Sequence, residues 1–384
     1  MKRAGLIVLM MVGGVARAAD DPVRALALGD EHSCALRRSG TVACWGRNFS
    51  GQLGDGSRED HIEPVTVAGL SGVQQLVAFG ARTCAVRRDG ALLCWGRIEG
   101  ISGKADPRAP QTWDATTPQL IDVVGPIAEV ALGAEHACTR DTHGVVRCWG
   151  KNDHGQLGDG TQRARRVPLR VAGLPTAKAS ALGTSHSCAL VEDGGVWCWG
   201  ANEGGQLGDG TTHDRTHATM IREFGGSVQL VASAASTCSR LGNGTARCWG
   251  WNSEGQLGDG TRQGHAIPKA VRRVEHIVEL SLGATTGCGR HADGSVVCWG
   301  DEALPPSADE EHNRSLFAVE QKALGAATAL ARAGQIASGH QCTVEGAALV
   351  RCWGKNDHGQ LGGLTDDAPT RVRVSPQSLY GYVK

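Results

Sequence analysis

Seven times the chain sets two cysteines ten residues apart and follows the second with Trp-Gly. The second cysteines are Cys44, Cys94, Cys148, Cys198, Cys248, Cys298 and Cys352; the first are Cys34, Cys84, Cys138, Cys188, Cys238, Cys288 and Cys342. Together they are all fourteen cysteines, and the Cys-Trp-Gly triplets follow one another at steps of 50, 54, 50, 50, 50 and 54 residues. A fixed period of this length marks a solenoid, a propeller or an array.

Within a unit, short apolar alternations are separated by turn residues, as in "VRALALG", "HSCALRR", "TVACWG" and "IEPVTVAG". The turn between the cysteines carries Ser39-Gly40, Asp89-Gly90, His143-Gly144, Asp193-Gly194, Asn243-Gly244 and Asp293-Gly294. Such dipeptides between alternating segments signal a hairpin. The seventh unit has Ala347-Ala348 instead, so its turn must differ. A three-residue loop at 38–40 sets Arg37 opposite Thr41, and then Cys34 opposite Cys44 on a non-hydrogen-bonded rung. The Cα atoms of such a rung are about 4.5 Å apart, the short end of the disulfide range of roughly 4.4–6.8 Å. A cross-strand bridge therefore fits every hairpin.

The Trp of each triplet falls opposite Ser33, Thr83, Ala137, Ser187, Thr237, Gly287 or Gln341, small in six units of seven. The residue after each first cysteine is small in all seven: Ala35, Ala85, Thr139, Ala189, Ser239, Gly289 and Thr343. These positions leave room for an indole, which gives a blade with sulfur on one face and Trp on the other. Four strands per unit, seven units and two apolar faces specify an all-β fold, a single seven-bladed β-propeller of four-stranded antiparallel blades, which hides its edges by radial packing. A linear β-solenoid is the alternative.

The start, "MKRAGLIVLMMVGGVARAAD", places Lys2 and Arg3 before an apolar stretch from Ala4 to Val15 and then Ala16-Arg17-Ala18. This is the pattern of a secretory signal peptide over residues 1–18, too short to span a bilayer, leaving 19–384 as the propeller. Export to the periplasm, the cell surface or beyond is the expected location, and disulfides persist there. Each small loop so closed gains at most ~3 kcal/mol in the chain-entropy model. The chain has 39 basic and 39 acidic side chains; cleavage would remove Lys2, Arg3 and Arg17 and leave three more acids than bases. Nucleic-acid binders show a basic excess, so no nucleic-acid partner is expected, nor any membrane span.

A second motif accompanies the first: "GRNFSGQLGDGS" (46–57), "GKNDHGQLGDGT" (150–161), "GANEGGQLGDGT" (200–211), "GWNSEGQLGDGT" (250–261) and "GKNDHGQLGGLT" (354–365). It resembles the regulator-of-chromosome-condensation repeat, with its Asn, its Gly-Gln-Leu-Gly and its Gly, over residues 23 to 376. The resemblance implies a seven-bladed propeller. Two units depart, 96–113 and 300–317, which lack Gln-Leu-Gly and carry the extra four residues. The family's name member is a guanine-nucleotide exchange factor for a small GTPase, but no exchange residue is matched here. Other relatives are protein-binding modules, including an exported bacterial propeller that inhibits β-lactamases, which suits an exported chain.

Candidate chemistry is sparse. His32, His136, His186 and His340 stand two residues before the first cysteine in four units, but their spacing does not fit a zinc site, and a hydrogen bond to backbone is the expected role. Asp55, Asp159, Asp209 and Asp259 in Gly-Asp-Gly turns lack the alternating acids of a calcium loop, and Asx turns account for Asn48, Asn152, Asn202, Asn252 and Asn356. Neither a metal nor a cofactor is expected. The sequence holds no Gly-x-Ser-x-Gly, His-Glu-x-x-His or phosphate-loop motif, so no catalytic residue is assigned. An enzyme of lyase or hydrolase class with a central-channel site is the rival reading.

Loops on a rigid scaffold carry function. The candidate contacts are Trp113, Trp251 and the acidic run Asp309, Glu310, Glu311; an exposed Trp is a characteristic hot spot. "RARRVPLR", Arg163 to Arg170, reads as a solvated edge strand, with a basic patch as the alternative. The sequence thus specifies a monomeric exported propeller that binds a protein or glycan through its loop faces.

Overall fold

The computed structural model describes residues 21–99, 112–221, 225–301, 314–321, 326–332, 339–346, 349–363 and 370–374. They form seven four-stranded antiparallel sheets, each from consecutive strands. In blade 1 these are β1 (Val23–Leu28), β2 (His32–Arg37), β3 (Val42–Gly46) and β4 (His61–Thr66). Blades 2 to 7 begin at Val73, Ile127, Ala177, Ser227, Ile277 and Ala327. The first strand of each blade packs against the first strands of its neighbours and lines the axis; the fourth is outermost. Among the described residues no strand is exchanged between the two ends of the chain: blade 7 packs directly on blade 1, with Trp45, Val23 and Leu28 in one buried cluster with Val344, Leu361 and Val372.

The hairpin follows the register that the cysteine spacing demands. Arg37 N–H bonds Thr41 O and Gly40 N–H bonds Arg37 O, each at 3.0 Å, so the loop is 38–40. Six such turns place a glycine at φ between +78° and +91°, where a side chain is strained. In the seventh, Gly346 takes φ +65° one residue after the strand, and Ala347-Ala348 lie outside the described residues. Cys34 faces Cys44 and Ser33 faces Trp45. All seven disulfides form with Cα atoms 4.1 Å apart, and no described cysteine is free. The rung is slightly tighter than the 4.5 Å expected. The seven triplet tryptophans are at most 3 % exposed. At an indole's burial gain of roughly 25 cal/mol per Å², they are the largest single contributors to the interblade core.

The outermost strands read as solvated edges. Pro64, Pro118, Pro168 and Pro268 recur at one position of them, removing a donor and discouraging edge-to-edge pairing. Arg165–Arg170 is such a strand, with Arg166, Val167, Leu169 and Arg170 exposed and Pro168 buried. Because strands alternate in direction, the β1–β2 turns and the β3–β4 loops emerge on one face of the ring. The cysteine hairpin turns and the connections between blades emerge on the other.

Candidate binding face

The Gly-Gln-Leu-Gly loop is a docking device between blades. In blade 1 the Gln52 side chain folds back to accept Ser50 N–H (2.9 Å), leaving its backbone carbonyl to point at blade 2. There it accepts the Trp95 indole N–H (2.9 Å) and the Thr83 hydroxyl (3.1 Å). The same carbonyl-to-indole bond joins Gln156 to Trp199 (2.8 Å), Gln206 to Trp249 (2.9 Å), Gln256 to Trp299 (2.8 Å) and Gln360 to Trp45 (3.0 Å). The leucines of the motif are buried. In four of the five loops the glycine after the leucine lies on the neighbour's indole: a Cβ on Gly208 (φ +72°) would fall 2.7 Å from Trp249 Nε1.

A histidine completes four of these junctions. The Nε2 of His32, His136, His186 and His340 lies 2.8, 2.9, 2.9 and 2.6 Å from the hydroxyl of Thr83, Ser187, Thr237 and Ser33 respectively. The expected backbone partner is therefore corrected to a side-chain hydroxyl in the next blade. The small residue before each first cysteine does more than leave room for an indole: in four units its hydroxyl bridges a His and a Gln carbonyl. The His340–Ser33 pair closes the ring. A signal for this was present, since His occurs in a unit only where the following unit carries the hydroxyl.

A second clasp sits on the innermost strands. Going round the ring, the residue at one position is Ala25, Gln75, Glu129, Ala179, Gln229, Glu279 and Ala329. Gln75 brackets Val130 of blade 3, accepting its N–H (2.8 Å) and donating to its carbonyl (3.1 Å). Gln229 does the same to Leu280 of blade 6 (2.9 and 2.8 Å). Glu129 accepts Ser180 N–H (3.2 Å) and Glu279 accepts Leu330 N–H (3.3 Å), each also paired within its blade to Arg140 or Arg290. Burial pushes the Glu129 carboxyl up, against the pull of Arg140.

The Asn and Asp of the loops are committed to the loops themselves. Asn48 Oδ1 accepts Leu53 N–H (3.0 Å) and its Nδ2 donates to Asp55 (3.1 Å). The Oδ2 atoms of Asp55, Asp159, Asp209 and Asp259 pair with His61, Arg165, Arg215 and His265. Burial opposes ionisation of these acids, but the hydrogen bonds from Ser or Thr and the neighbouring Arg or His outweigh it and hold them below the usual carboxylate range. Among the described residues no three His, Cys, Asp or Glu side chains gather as a metal would require.

One position on this face differs widely among the blades. Beyond Cys-Trp-Gly stand Arg47, Arg97, Lys151, Ala201, Trp251, Asp301 and Lys355. Arg47 pairs with Glu31 and Lys151 with Glu135. Trp251 is 53 % exposed: its indole N–H donates to Ser253 (2.7 Å), its carbonyl accepts Ser236 (2.8 Å), and its ring flanks Gly204 of blade 4. Phe49, which the sequence reading passed over, is 69 % exposed near Arg47. Trp113 differs in being half-buried, on the outer strand of blade 2 opposite Ile98 and packed on the core. Asp309, Glu310 and Glu311 lie outside the described residues, as does the expected leader at 1–18. No described helix is long and apolar enough to cross a membrane.

A seven-bladed ring of disulfide-closed hairpins, joined by Gly-Gln-Leu-Gly loops, defines a repeat β-propeller. The chain belongs to the RCC1-like domain family, whose model matches residues 10–288. It is similar to the human E3 ubiquitin-protein ligase HERC2, 31% identical over 157 residues (40% of this chain, 3% of the relative), and to the Arabidopsis thaliana ultraviolet-B receptor UVR8, 29% identical over 158 residues (40% and 34%). The chain thus spans a small part of these relatives. Among solved structures it resembles human WBSCR16 (TM-score 0.68, 19% identity, 81% of this chain and 84% of that one). Yeast RCC1 (Prp20) bound to Kap60 is comparable (TM-score 0.67, 20% identity, 82% and 78%).

Proposed function

We propose that the chain is an exported protein-binding scaffold that works through the loop face bearing Trp251. The observation that carries this reading is the contrast on that face: the loop backbones are tied into the blades by repeated hydrogen bonds, while the residue beyond Cys-Trp-Gly takes five identities in seven units and in blade 5 is an exposed indole. A rigid frame with a large, ordered aromatic at its surface makes the contact that dominates protein interfaces at low entropy cost. Seven buried disulfides support function in an oxidising compartment, as does the leader pattern. Yeast RCC1, of similar fold, was crystallised with Kap60 bound, and a similar fold forms an ectodomain of the Arabidopsis thaliana receptor kinase ACR4. Binding rather than catalysis is favoured because the loop carboxylates are consumed by internal partners.

The test uses the full chain, expressed with its leader and recovered from the exported fraction. N-terminal sequencing is expected to start at Ala19. A stoichiometric protein partner is expected in cross-linked pull-downs, with affinity reduced at least tenfold by Trp251→Ala and unchanged by Val228→Thr on the inner strand of blade 5. Capture of glycan alone, turnover of an oligosaccharide, or a partner indifferent to Trp251→Ala would overturn the reading.

A further inference from the structure

In each complete latch the hydroxyl is already committed. Ser33, Thr83, Ser187 and Thr237 donate to the carbonyls of Gln360, Gln52, Gln156 and Gln206 at 2.8, 3.1, 2.9 and 2.9 Å. A hydroxyl has one proton to give, so toward its histidine it accepts. The imidazole must therefore carry its hydrogen on Nε2 and leave Nδ1 bare. The Nδ1 atoms of His32, His136, His186 and His340 are buried with no hydrogen-bond partner among the described residues. They are also crowded: a Cβ on Gly29, Gly133 or Gly183 would fall 2.3, 2.4 or 2.5 Å from the Nδ1 of His32, His136 or His186. A second ring proton, on Nδ1, finds no acceptor among the described residues.

We infer that the propeller is acid-responsive at defined joints: mild acid opens the 7/1, 1/2, 3/4 and 4/5 junctions locally and leaves the 5/6 junction shut. The 5/6 junction has the same carbonyl-to-indole bond, Gln256 to Trp299, but Ser236 and Gly287 stand where the others have His and hydroxyl.

The charged surroundings reinforce this. Burial first, and then the facing His340, lowers His32 to about 3; burial, Arg82 and the charge of His186 lower His136 to about 3, against a favourable contact with the backbone of His186. Burial alone lowers His186 to about 4, and burial lowers His340 to about 3, against a favourable contact with the backbone of Asp30. All four lie below the value of about 6.5 for a free imidazole. The closed joints therefore exclude a proton that the open ones accept. Their stability is complete above that value and declines as pH falls toward the folded values, by about tenfold per latch at pH 5.5. Two acids approach from the β1–β2 turn of blade 1. Burial and then Glu31 push the Asp30 carboxyl up to about 6. Its sign is opposite: the closed form takes up that proton more readily, which offsets part of the loss at the 7/1 junction.

The experiment is indole N–H exchange in the full, oxidised chain labelled with ¹⁵N-Trp, at pH 7.0 and 5.5, normalised to the exchange of free indole at each pH. Protection of Trp95, Trp199 and Trp249 is expected to fall tenfold or more relative to Trp299, with Trp45 falling less. His186→Gln, whose amide can donate to Thr237 but does not titrate, is expected to abolish the response of Trp249 and leave that of Trp199. The inference is overturned if the five indoles respond equally, if none responds, or if Trp249 still responds in His186→Gln.

Discussion

The junctions between blades 4 and 5 and between blades 6 and 7 are closed by different chemistry. The first has the outer latch: His186, Thr237, the Gln206 carbonyl and Trp249 form one buried chain. The second has none of it. Blade 6 lacks Gly-Gln-Leu-Gly, Thr286 replaces His, Gln341 replaces the hydroxyl, and Trp353 Nε1 is buried without a partner among the described residues. It has instead the inner clasp, Glu279 on Leu330. Between them the two devices cover every junction of the ring. Junctions 1/2, 4/5 and 7/1 have the complete latch; 2/3, 5/6 and 6/7 have the inner clasp; only 3/4 has both. At 2/3, Arg82 also crosses to the Gly133 and His136 carbonyls (2.9 and 3.3 Å). A ring closed without strand exchange is only as strong as its weakest joint, and each joint keeps at least one way of satisfying buried polar groups.

The largest effect is expected where a loop glycine rests on the neighbouring indole. Gly208→Ala places a methyl 2.7 Å from the Trp249 indole at φ +72°, and should cost about 3 kcal/mol, strain and overpacking combined. Gly173→Ala, at φ +71° with nothing within 4 Å, should cost only about 1 kcal/mol. Chemical denaturation of the oxidised chain measures both. Equal losses would mean that backbone conformation, not docking on the indole, explains the motif's second glycine.

A smaller effect should separate the two devices. Glu279→Ala strands Leu330 N–H and Arg290 at a joint with no latch, for about 2 kcal/mol of local opening. Glu129→Ala removes the same contacts at 3/4, where His136 and Ser187 remain. Backbone exchange should show the inner strand of blade 7 opening more easily in the first variant, and blade 4 unchanged in the second. Glu279→Gln should restore closure, because Gln75 and Gln229 already serve in this role. Matching losses in blades 4 and 7 would show that the latch adds nothing to the clasp.

The hairpin was legible because strand alternation has period two: once Cys34 faces Cys44, Ser33 must face Trp45. The fold followed from counting units. The junctions were harder to read because their partners lie along a diagonal. His32 pairs with a residue 51 positions on, and His340 with Ser33 at the other end of the chain, so comparing equivalent positions in a column shows four histidines and four hydroxyls but not their coupling. The Ala-Gln-Glu series was visible too, yet without knowing which side of the inner strand meets the neighbour it reads as ordinary polar variation. On the binding face, Trp251 and Trp113 looked alike in sequence. The ring of Trp113 finds the core of blade 2, whereas Gly204 leaves the ring of Trp251 beside a bare backbone.

The smallest predicted effect asks whether a latch can be built piecemeal. Ala137 occupies in blade 3 the position of Ser33, Thr83, Ser187 and Thr237, and is buried. If a hydroxyl there were stabilising in itself, Ala137→Ser should strengthen the 2/3 junction. The geometry argues the reverse. Arg82 stands in place of the histidine, and blade 2 has no Gln-Leu-Gly carbonyl to accept the proton. The new hydroxyl would be desolvated with its donor unmet, a loss of about 1 kcal/mol. Denaturation of Ala137→Ser should show this modest loss, and a gain in stability would break the claim that the latch works only as a complete chain of donor and acceptor.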